Sequence, residues 1–214
     1  MFCAITHASV AYTVTSSYVL CVTEPASKPN WDALYETAAA QEGYFTTRQA
    51  ADAGYSTHLL YKHIQACRVL RVRRGVYRLV HFPAGDHEEL VVIWLWSDQA
   101  GVISHSSALS LHGLSDVLPA VVDLTLPSEW RTRRFRVPPG VVLHHADVPA
   151  EDRVWFGGVP TTNARRSLND CARAGLSPDL LRQGARQALR RGLVTMTELP
   201  DVQKALESFG GLEA

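Results

Sequence analysis

The sequence predicts an α+β protein, with a small N-terminal unit of helices and a hairpin followed by a larger mixed α/β unit. Apolar residues recur at spacings of three and four from Trp31 onward, which is the helical period. Apolar and basic residues alternate around Gly75, as they do in a β-hairpin. Farther along, the apolar run Leu90–Trp96 suits a buried helix, and several short strand-like runs follow it. A chain of 214 residues accommodates one large domain or two small ones.

The formal net charge is zero, but the charges are unevenly distributed. Between Gly43 and Val80, seven Lys and Arg residues accompany a single acid, Asp52, whereas residues 81–130 contain seven acids and no Lys or Arg. A basic block beside an acidic block indicates two partners of opposite character. No apolar run reaches the roughly 18 residues of a membrane helix, so we expect no membrane partner.

The cysteines and the first 28 residues indicate the cellular compartment of the protein. The four cysteines are far apart and form no CxxC pair, which argues against a zinc ribbon or a disulfide scaffold and favours a reducing cytoplasm. Residues 1–28 have no Lys or Arg near their start, unlike a secretory signal. We expect a disordered tail, or a start codon assigned too far upstream, with Val22 as the true start. A cleavable signal or an interaction arm is the competing interpretation.

The basic block begins with the pattern of a helix-turn-helix. Thr46 and Gln49 have the spacing of a capping box for a short helix that stops at Gly54. Ser56 is placed to cap the next helix, predicted over Thr57–Cys67. A short helix, a glycine turn and a second helix at this spacing are typical of helix-turn-helix proteins.

The segment after the second helix has the pattern of a wing. Residues Val69–Leu79 alternate around Gly75, and Val69 and Val72 are predicted to pack inward. Five arginines belong to this hairpin or flank it: Arg68, Arg71, Arg73, Arg74 and Arg78. They would repel one another unless a polyanion lay nearby, although a plain charged hairpin is the alternative. Residues 29–82 are therefore predicted to form a winged helix-turn-helix domain.

A resemblance to a known family is carried by the run GYFTTRQAADAGYSTHLLYKHIQACRVLRVRRGVYRL. This run is similar to the N-terminal winged domain of AbiEi-type antitoxins, from type IV toxin–antitoxin systems. The resemblance continues in VISHSSALSLHGLSDVLP (Val102–Pro119) and GVPTTNARRSLNDCAR (Gly158–Arg173), and extends over roughly residues 30–191. The family glycine after the reading helix is replaced near Cys67–Arg68. The resemblance implies an antitoxin domain over residues 83–214, repression of the protein's own promoter, and opposition to an AbiEii-type nucleotidyltransferase toxin, by direct or indirect means.

The second helix of the pair is the predicted reader of inverted repeats in double-stranded promoter DNA. Ser, Thr, His and Gln side chains on its polar side can donate to or accept from base edges, which its N-terminal residues should face, whereas Lys62 and the arginines meet phosphates. A solvated helix face is the simpler interpretation. The predicted DNA-binding residues are Thr46, Thr47, Ser56, Thr57, His58, Tyr61, Lys62, Arg68, Arg71, Arg73, Arg74 and Arg78. A second basic run comprises Arg131, Arg133, Arg134 and Arg136, for which a solvated loop and a phosphate contact are both open.

The acidic block is predicted to face a basic protein, and the resemblance implies that this protein is the toxin. Opposite charge would steer such a contact and make it sensitive to salt. The candidate partner-binding residues are Glu88, Glu89, Asp98, Asp116 and Glu129. A fragment from about Pro83 to Ala214 is expected to fold alone, since roughly 130 residues suffice for a core.

The sequence predicts no catalytic site, no metal and no cofactor. His144 and His145 are adjacent on a predicted strand and point to opposite faces, which is poor geometry for chelation. A metal-dependent nuclease needs a carboxylate pair and usually a lysine two places after an acid, and this chain has no such lysine. We therefore predict an antitoxin and autorepressor. The alternatives are a stand-alone regulator whose second domain senses a small ligand or oligomerises, and a DNA-processing enzyme with a divergent site.

Overall fold

The computed structural model describes residues 28–134 and 136–212. Its first half consists of α1 (Trp31–Ala39), β1 (Tyr44–Thr46), α2 (Thr47–Asp52), α3 (Thr57–Gln65), β2 (Val69–Arg73) and β3 (Val76–Leu79). The three strands form an antiparallel sheet in the order β1-β3-β2. The predicted tail lies outside the described residues, apart from Lys28.

Side-chain caps determine where the first helices begin. The Asn30 Oδ1 atom accepts a hydrogen bond from the Ala33 amide at 3.1 Å. Thr46 and Gln49 form the predicted capping box at the start of α2. The Ser56 hydroxyl accepts from a backbone amide in the first turn of α3 at 3.2 Å. Each cap satisfies an amide that has no partner inside its helix, so the predicted helix starts are confirmed.

Helix α3 ends two residues earlier than predicted, because Cys67 has a left-handed backbone with φ of +52°. The Arg68 amide donates to the His63 carbonyl and the Cys67 amide to the Ile64 carbonyl, each at 3.0 Å. This pairing is the Schellman motif, in which the left-handed position favours glycine. The prediction that α3 continues to Cys67 is wrong, and the exposed Cys67 occupies a position suited to glycine.

Replacing Cys67 with glycine should stabilise the protein by up to about 1 kcal/mol. A left-handed backbone costs a residue with a side chain roughly 1–2 kcal/mol. The greater freedom of glycine in the unfolded chain offsets part of that gain. Urea denaturation measures the change, and Cys67→Ala is the matched control because it removes the thiol but keeps the strain. A glycine variant no more stable than the alanine variant would contradict the assignment.

Strands β2 and β3 form the predicted hairpin, which turns at Gly75 with φ of +82°. The pairing shifts register between Arg71 and Arg73. Such an irregularity redirects the local side chains, and Val72 is 38% exposed instead of packed inward as predicted. Val69 is buried, as predicted.

The second half combines a five-stranded sheet with five α-helices among the described residues. Its elements are α4 (Glu88–Trp96), β4 (Val102–Ile103), α5 (His105–His112), β5 (Val122–Leu126), β6 (Val141–His145), β7 (Arg153–Phe156), β8 (Val159–Thr162), α6 (Ala164–Arg173), α7 (Pro178–Arg190) and α8 (Pro200–Leu206). The strand order is β6-β5-β4-β8-β7; β4 runs parallel to β8 and β5 to β6, while the other neighbours are antiparallel. The prediction of a chain that mixes helices and sheets is confirmed. Across residues 28–134 and 136–212, no helix is both long enough and apolar enough to span a bilayer.

Ion pairs between two buried carboxylates and partly exposed arginines hold α6 in place. Asp170, 5% exposed, accepts from the guanidinium groups of Arg166 and Arg173. Asp152, 6% exposed, accepts from Arg165 at 2.5 Å. A buried carboxylate without a partner would destabilise the fold by several kcal/mol, so each of these acids requires its arginine partners. The network gives a structural role to much of the segment Gly158–Arg173.

The two halves share a hydrophobic core. Tyr44 of β1 and Val76 of β3 lie in the same buried cluster as Val91 and Trp94 of α4. Adjacent residues of a strand point to opposite faces, so Phe45, next to Tyr44, enters the separate core of the first half. A boundary between residues 82 and 83 therefore crosses a packed interface, which argues against independent folding of residues 83–214.

Candidate nucleic-acid interface

One side of helix α3 packs on the other elements of the first half, and the opposite side is exposed to solvent. Gly54, with φ of +85°, makes the turn between α2 and α3. The Tyr55 amide donates to the Ala50 carbonyl at 2.8 Å, which closes that turn. Leu60 is 2% exposed and fixes the inner side of α3 against the core. The orientation of α3 is therefore set by burial, and its outer side is available to a partner.

The outer side of α3 carries four of the predicted DNA-binding residues. Thr57, His58, Tyr61 and Lys62 are all exposed. Thr57 and His58 lie in the first turn, from which a recognition helix reaches base edges. The four side chains combine donors, acceptors and one fixed positive charge on a single face.

Three of the predicted DNA contacts have structural roles in the helix starts. Thr46 is 9% exposed and its hydroxyl takes part in the capping box, so this side chain does not reach the surface that α3 presents. We withdraw Thr46 from the candidate residues. The Thr47 amide donates to the Gly75 carbonyl at 2.9 Å and thereby ties α2 to the tip of the hairpin. Ser56 caps α3 while remaining exposed.

The hairpin presents positive charge that nothing in the described chain neutralises. Arg71 and Arg74 are exposed and Arg73 is half-buried. None of the three forms an ion pair within residues 28–134 and 136–212. Because the tip at Gly75 contacts the start of α2, this charge lies beside the pair of helices α2 and α3. The arrangement suits a polyanion such as the phosphate backbone of DNA.

Arg78 does not belong with the other arginines of the hairpin. Its guanidinium donates to a Glu88 carboxylate oxygen at 2.8 Å and to the Phe82 carbonyl at 3.0 Å. The same group lies over the Tyr44 ring, 5.6 Å from the centroid. The predicted role of Arg78 in DNA binding is replaced by a structural one, because its charge is used at the junction between the two halves.

Glu88 is likewise part of this junction. Burial alone would raise the pKa of the Glu88 carboxyl, but hydrogen bonds from Arg78 and Tyr44 hold it below its ordinary value. Burial, followed by the hydrogen bond with Glu88, raises the pKa of the Tyr44 phenol. We withdraw Glu88 as a candidate toxin contact, since its charge is already paired.

The other candidate acids do not form one patch. Glu89 and Asp98 are exposed at opposite ends of α4. Asp116 is exposed beyond α5 and accepts from the Gln183 amide group of α7 at 2.7 Å. Glu129 is exposed in the short 3₁₀ helix after β5. A partner that used all four would have to cover several elements.

The second basic run begins inside that 3₁₀ helix (Ser128–Thr132) and continues beyond it, next to the edge strand β6 of the five-stranded sheet. Arg131 donates to the His145 carbonyl at 3.4 Å, and the Arg133 guanidinium lies 4.1 Å from the centroid of the Trp130 ring. Arg134 and Arg136 are exposed. A cation above an aromatic ring keeps its charge available, so both earlier interpretations of this loop stay open.

The first half matches a known family. Residues 32–80 match the family model described as "Transcriptional regulator, AbiEi antitoxin". The predicted resemblance is confirmed over these residues. They include α2, the polar side of α3 and the basic hairpin, whereas the second basic run lies outside the match. The family description names regulation and antitoxin activity, and names no enzymatic reaction.

A solved structure is similar over most of the chain, at low sequence identity. The crystal structure of the RV2827C protein from Mycobacterium tuberculosis is similar with a TM-score of 0.42 and 15% sequence identity. The similarity covers 85% of this chain and 78% of that chain. No curated protein matches the sequence.

The second half contains a polar cluster that the sequence did not reveal. His144 donates to Asp123 at 2.8 Å, and the Ser106 hydroxyl donates to the other carboxylate oxygen at 2.5 Å. The His105 ring stacks on His144, with centroids 3.6 Å apart. Asp123 binds Ser106 and His144 separately, whereas an activated serine requires a hydrogen bond to the histidine. Among residues 28–134 and 136–212, no three His, Cys, Asp or Glu side chains are grouped to hold a metal ion.

The surroundings of this cluster shift the pKa values of its members. Burial lowers the pKa of His105, and the adjacent His144 lowers it further. Burial alone would raise the pKa of Asp123, but hydrogen bonds from His144 and Ser106 hold it below its ordinary value. The cluster thus fixes a buried carboxylate between the sheet and the start of α5, and the motif SHSS supplies two of its members. Asp123 and His144 are 21 residues apart in the sequence, and they meet because β5 and β6 pair in the sheet.

Proposed function

We propose that the protein is a cytoplasmic antitoxin that represses transcription from its own promoter and counteracts a cognate nucleotidyltransferase toxin. The observation that carries the proposal is the unneutralised charge of Arg71, Arg73 and Arg74 beside the exposed polar side of α3. This surface lies inside the segment that matches the AbiEi regulator family.

In this proposal the first half is a winged helix-turn-helix. The element order α1-β1-α2-α3-β2-β3 and the hairpin beside α3 support that assignment. Helix α3 would enter the major groove, where Thr57 and His58 meet base edges, while the wing arginines contact phosphates. Inverted repeats are the expected target, because two copies related by a two-fold axis read symmetric half-sites.

Changing Thr57 or His58 to alanine should alter base preference more than general affinity. A true base contact contributes about 1–3 kcal/mol of discrimination at one position. Fluorescence anisotropy with the DNA upstream of the protein's own gene measures binding, and a set of single-base changes in that DNA identifies the affected position. His81→Ala is the matched control for His58, since His81 is exposed but lies after β3. Loss of affinity that is equal for every sequence would remove these residues from base reading.

The second half is proposed to act on the toxin. The AbiEi family description and the exposed acids Glu89, Asp98, Asp116 and Glu129 support this part. Direct contact with a basic surface and an indirect effect on the toxin are both compatible with it.

Repression and toxin neutralisation should therefore be separable by mutation. We expect the Arg73→Ala/Arg74→Ala protein, made from an independent promoter, to rescue the growth of cells expressing the toxin although it no longer represses. Lysine at Glu89 and Asp98 should weaken rescue if the contact is direct, and leave repression intact. Colony counts and a promoter–reporter fusion measure the two activities. A wild-type protein that represses but does not rescue would identify a stand-alone regulator instead.

A further inference from the structure

An aromatic cavity lies in the first half, between α1, the end of α3 and the chain that follows β3. Its volume is about 470 Å³, and Trp31, Tyr35, Tyr55 and Phe82 contribute rings to its wall. The Trp31 and His63 rings stack with centroids 5.2 Å apart and planes inclined by 16°. Flat aromatic walls of this kind bind flat rings by offset or edge contacts.

The polar groups of the cavity favour a negative charge. Arg68 lines it and forms no ion pair within the described part of the chain. The Nδ1 atom of His63 is buried and has no hydrogen-bond partner there. Burial lowers the pKa of His63, and the charge of the nearby Arg68 lowers it further. Burial raises the pKa of the Tyr55 phenol, and the charge of Asp32 raises it further, so this acid lies close to the wall of the cavity.

The cavity is separate from the proposed DNA surface. Arg68 lies at the base of the hairpin, where its carbonyl accepts from the Val80 amide at 3.1 Å, whereas the tip at Gly75 contacts α2. The sequence prediction grouped Arg68 with the other arginines of the hairpin as a DNA contact, whereas this position places it at the cavity. Arg68 is exposed to solvent and lines the aromatic cavity.

We infer that this cavity is a binding site for a small, flat aromatic carboxylate. The ring would lie between Trp31 and Phe82, and the carboxylate would meet Arg68, whose planar group binds carboxylates with two parallel hydrogen bonds. The inference does not rest on DNA binding, because it concerns a different surface.

Isothermal titration calorimetry of the full chain with 2-naphthoate tests the site. We expect saturable binding of 2-naphthoate and much weaker binding of 2-naphthamide, which has the same ring system without the charge. Arg68→Gln should lower the affinity for 2-naphthoate at least tenfold and leave the weak binding of 2-naphthamide unchanged. Arg48→Gln is the matched control: Arg48 is exposed on α2, near the hairpin tip, and its loss should have no effect.

A second measurement locates the ligand without depending on a variant. In nitrogen-labelled protein, 2-naphthoate should shift the indole N–H signal of Trp31, while those of Trp96 and Trp130 stay in place. Equal affinity for the acid and the amide would overturn the inference. It would also fail if Arg48→Gln weakened binding as much as Arg68→Gln, if the Trp31 signal did not move, or if no binding were detected.

Discussion

Replacing Arg73 and Arg74 together with alanine should weaken binding to DNA of any sequence, by on the order of tenfold to a hundredfold at low salt. Each arginine is expected to neutralise one phosphate and release its counterion. Losing both should flatten the plot of log affinity against log salt by about two units. Sequence preference should be unchanged, because a phosphate contact carries no base information. Anisotropy titrations over a range of salt concentrations measure both the affinity and the slope.

The matched control removes two positive charges elsewhere. Arg190 and Lys204 are exposed on α7 and α8, in the second half, and neither belongs to the proposed interface. The Arg190→Ala/Lys204→Ala protein has the same net charge as the wing variant, so it isolates position from total charge. Equal losses in the two variants would mean that the wing has no special role, and an unchanged salt slope in the wing variant would contradict the phosphate contacts.

Replacing Tyr44 with alanine should destabilise the whole described fold by about 3–5 kcal/mol, which is typical of a buried aromatic side chain. Tyr44 is 4% exposed and packs in the core that β1 and β3 share with α4. Its ring also supports Arg78, which bonds to Glu88 across the junction between the two halves. Because the halves share this core, we expect one cooperative transition that moves as a unit to lower denaturant concentration.

Tyr44→Phe separates the ring from the hydroxyl. It keeps the packing and removes the hydrogen bonds that the hydroxyl forms with Glu88 and Arg78, so a loss of about 1 kcal/mol is expected. Guanidinium denaturation followed by far-ultraviolet circular dichroism and by tryptophan fluorescence measures both variants. Two separate transitions, of which only one responds to Tyr44→Ala, would show that residues 29–82 and 83–214 unfold independently. That result would support the expectation, drawn from chain length, that a fragment from about Pro83 to Ala214 folds alone.

Local signals in the sequence predicted the first half well. A helix cap or capping box joins residues three apart, and a hairpin joins neighbours across one turn, so the spacing around Thr46, Ser56 and Gly75 sufficed to position α2, α3 and the hairpin. The exposure of Thr57, His58 and Lys62 followed from the same helical period. The end of α3 was harder to predict, because Cys67 adopts a backbone conformation that its side chain disfavours.

The sequence by itself determined the mixture of helices and sheets, the helix starts and the concentration of positive charge in one segment, since each depends on residues close together in the chain. Only the tertiary structure decided which charges remain free. Arg78 looks like its neighbours in sequence, yet the packing of β3 on α4 pairs it with Glu88. The same holds for Asp123 with His144 and for the shared core at Tyr44. Such partners are brought together by chain topology, and the burial that makes their contacts strong is not encoded in any short stretch of residues.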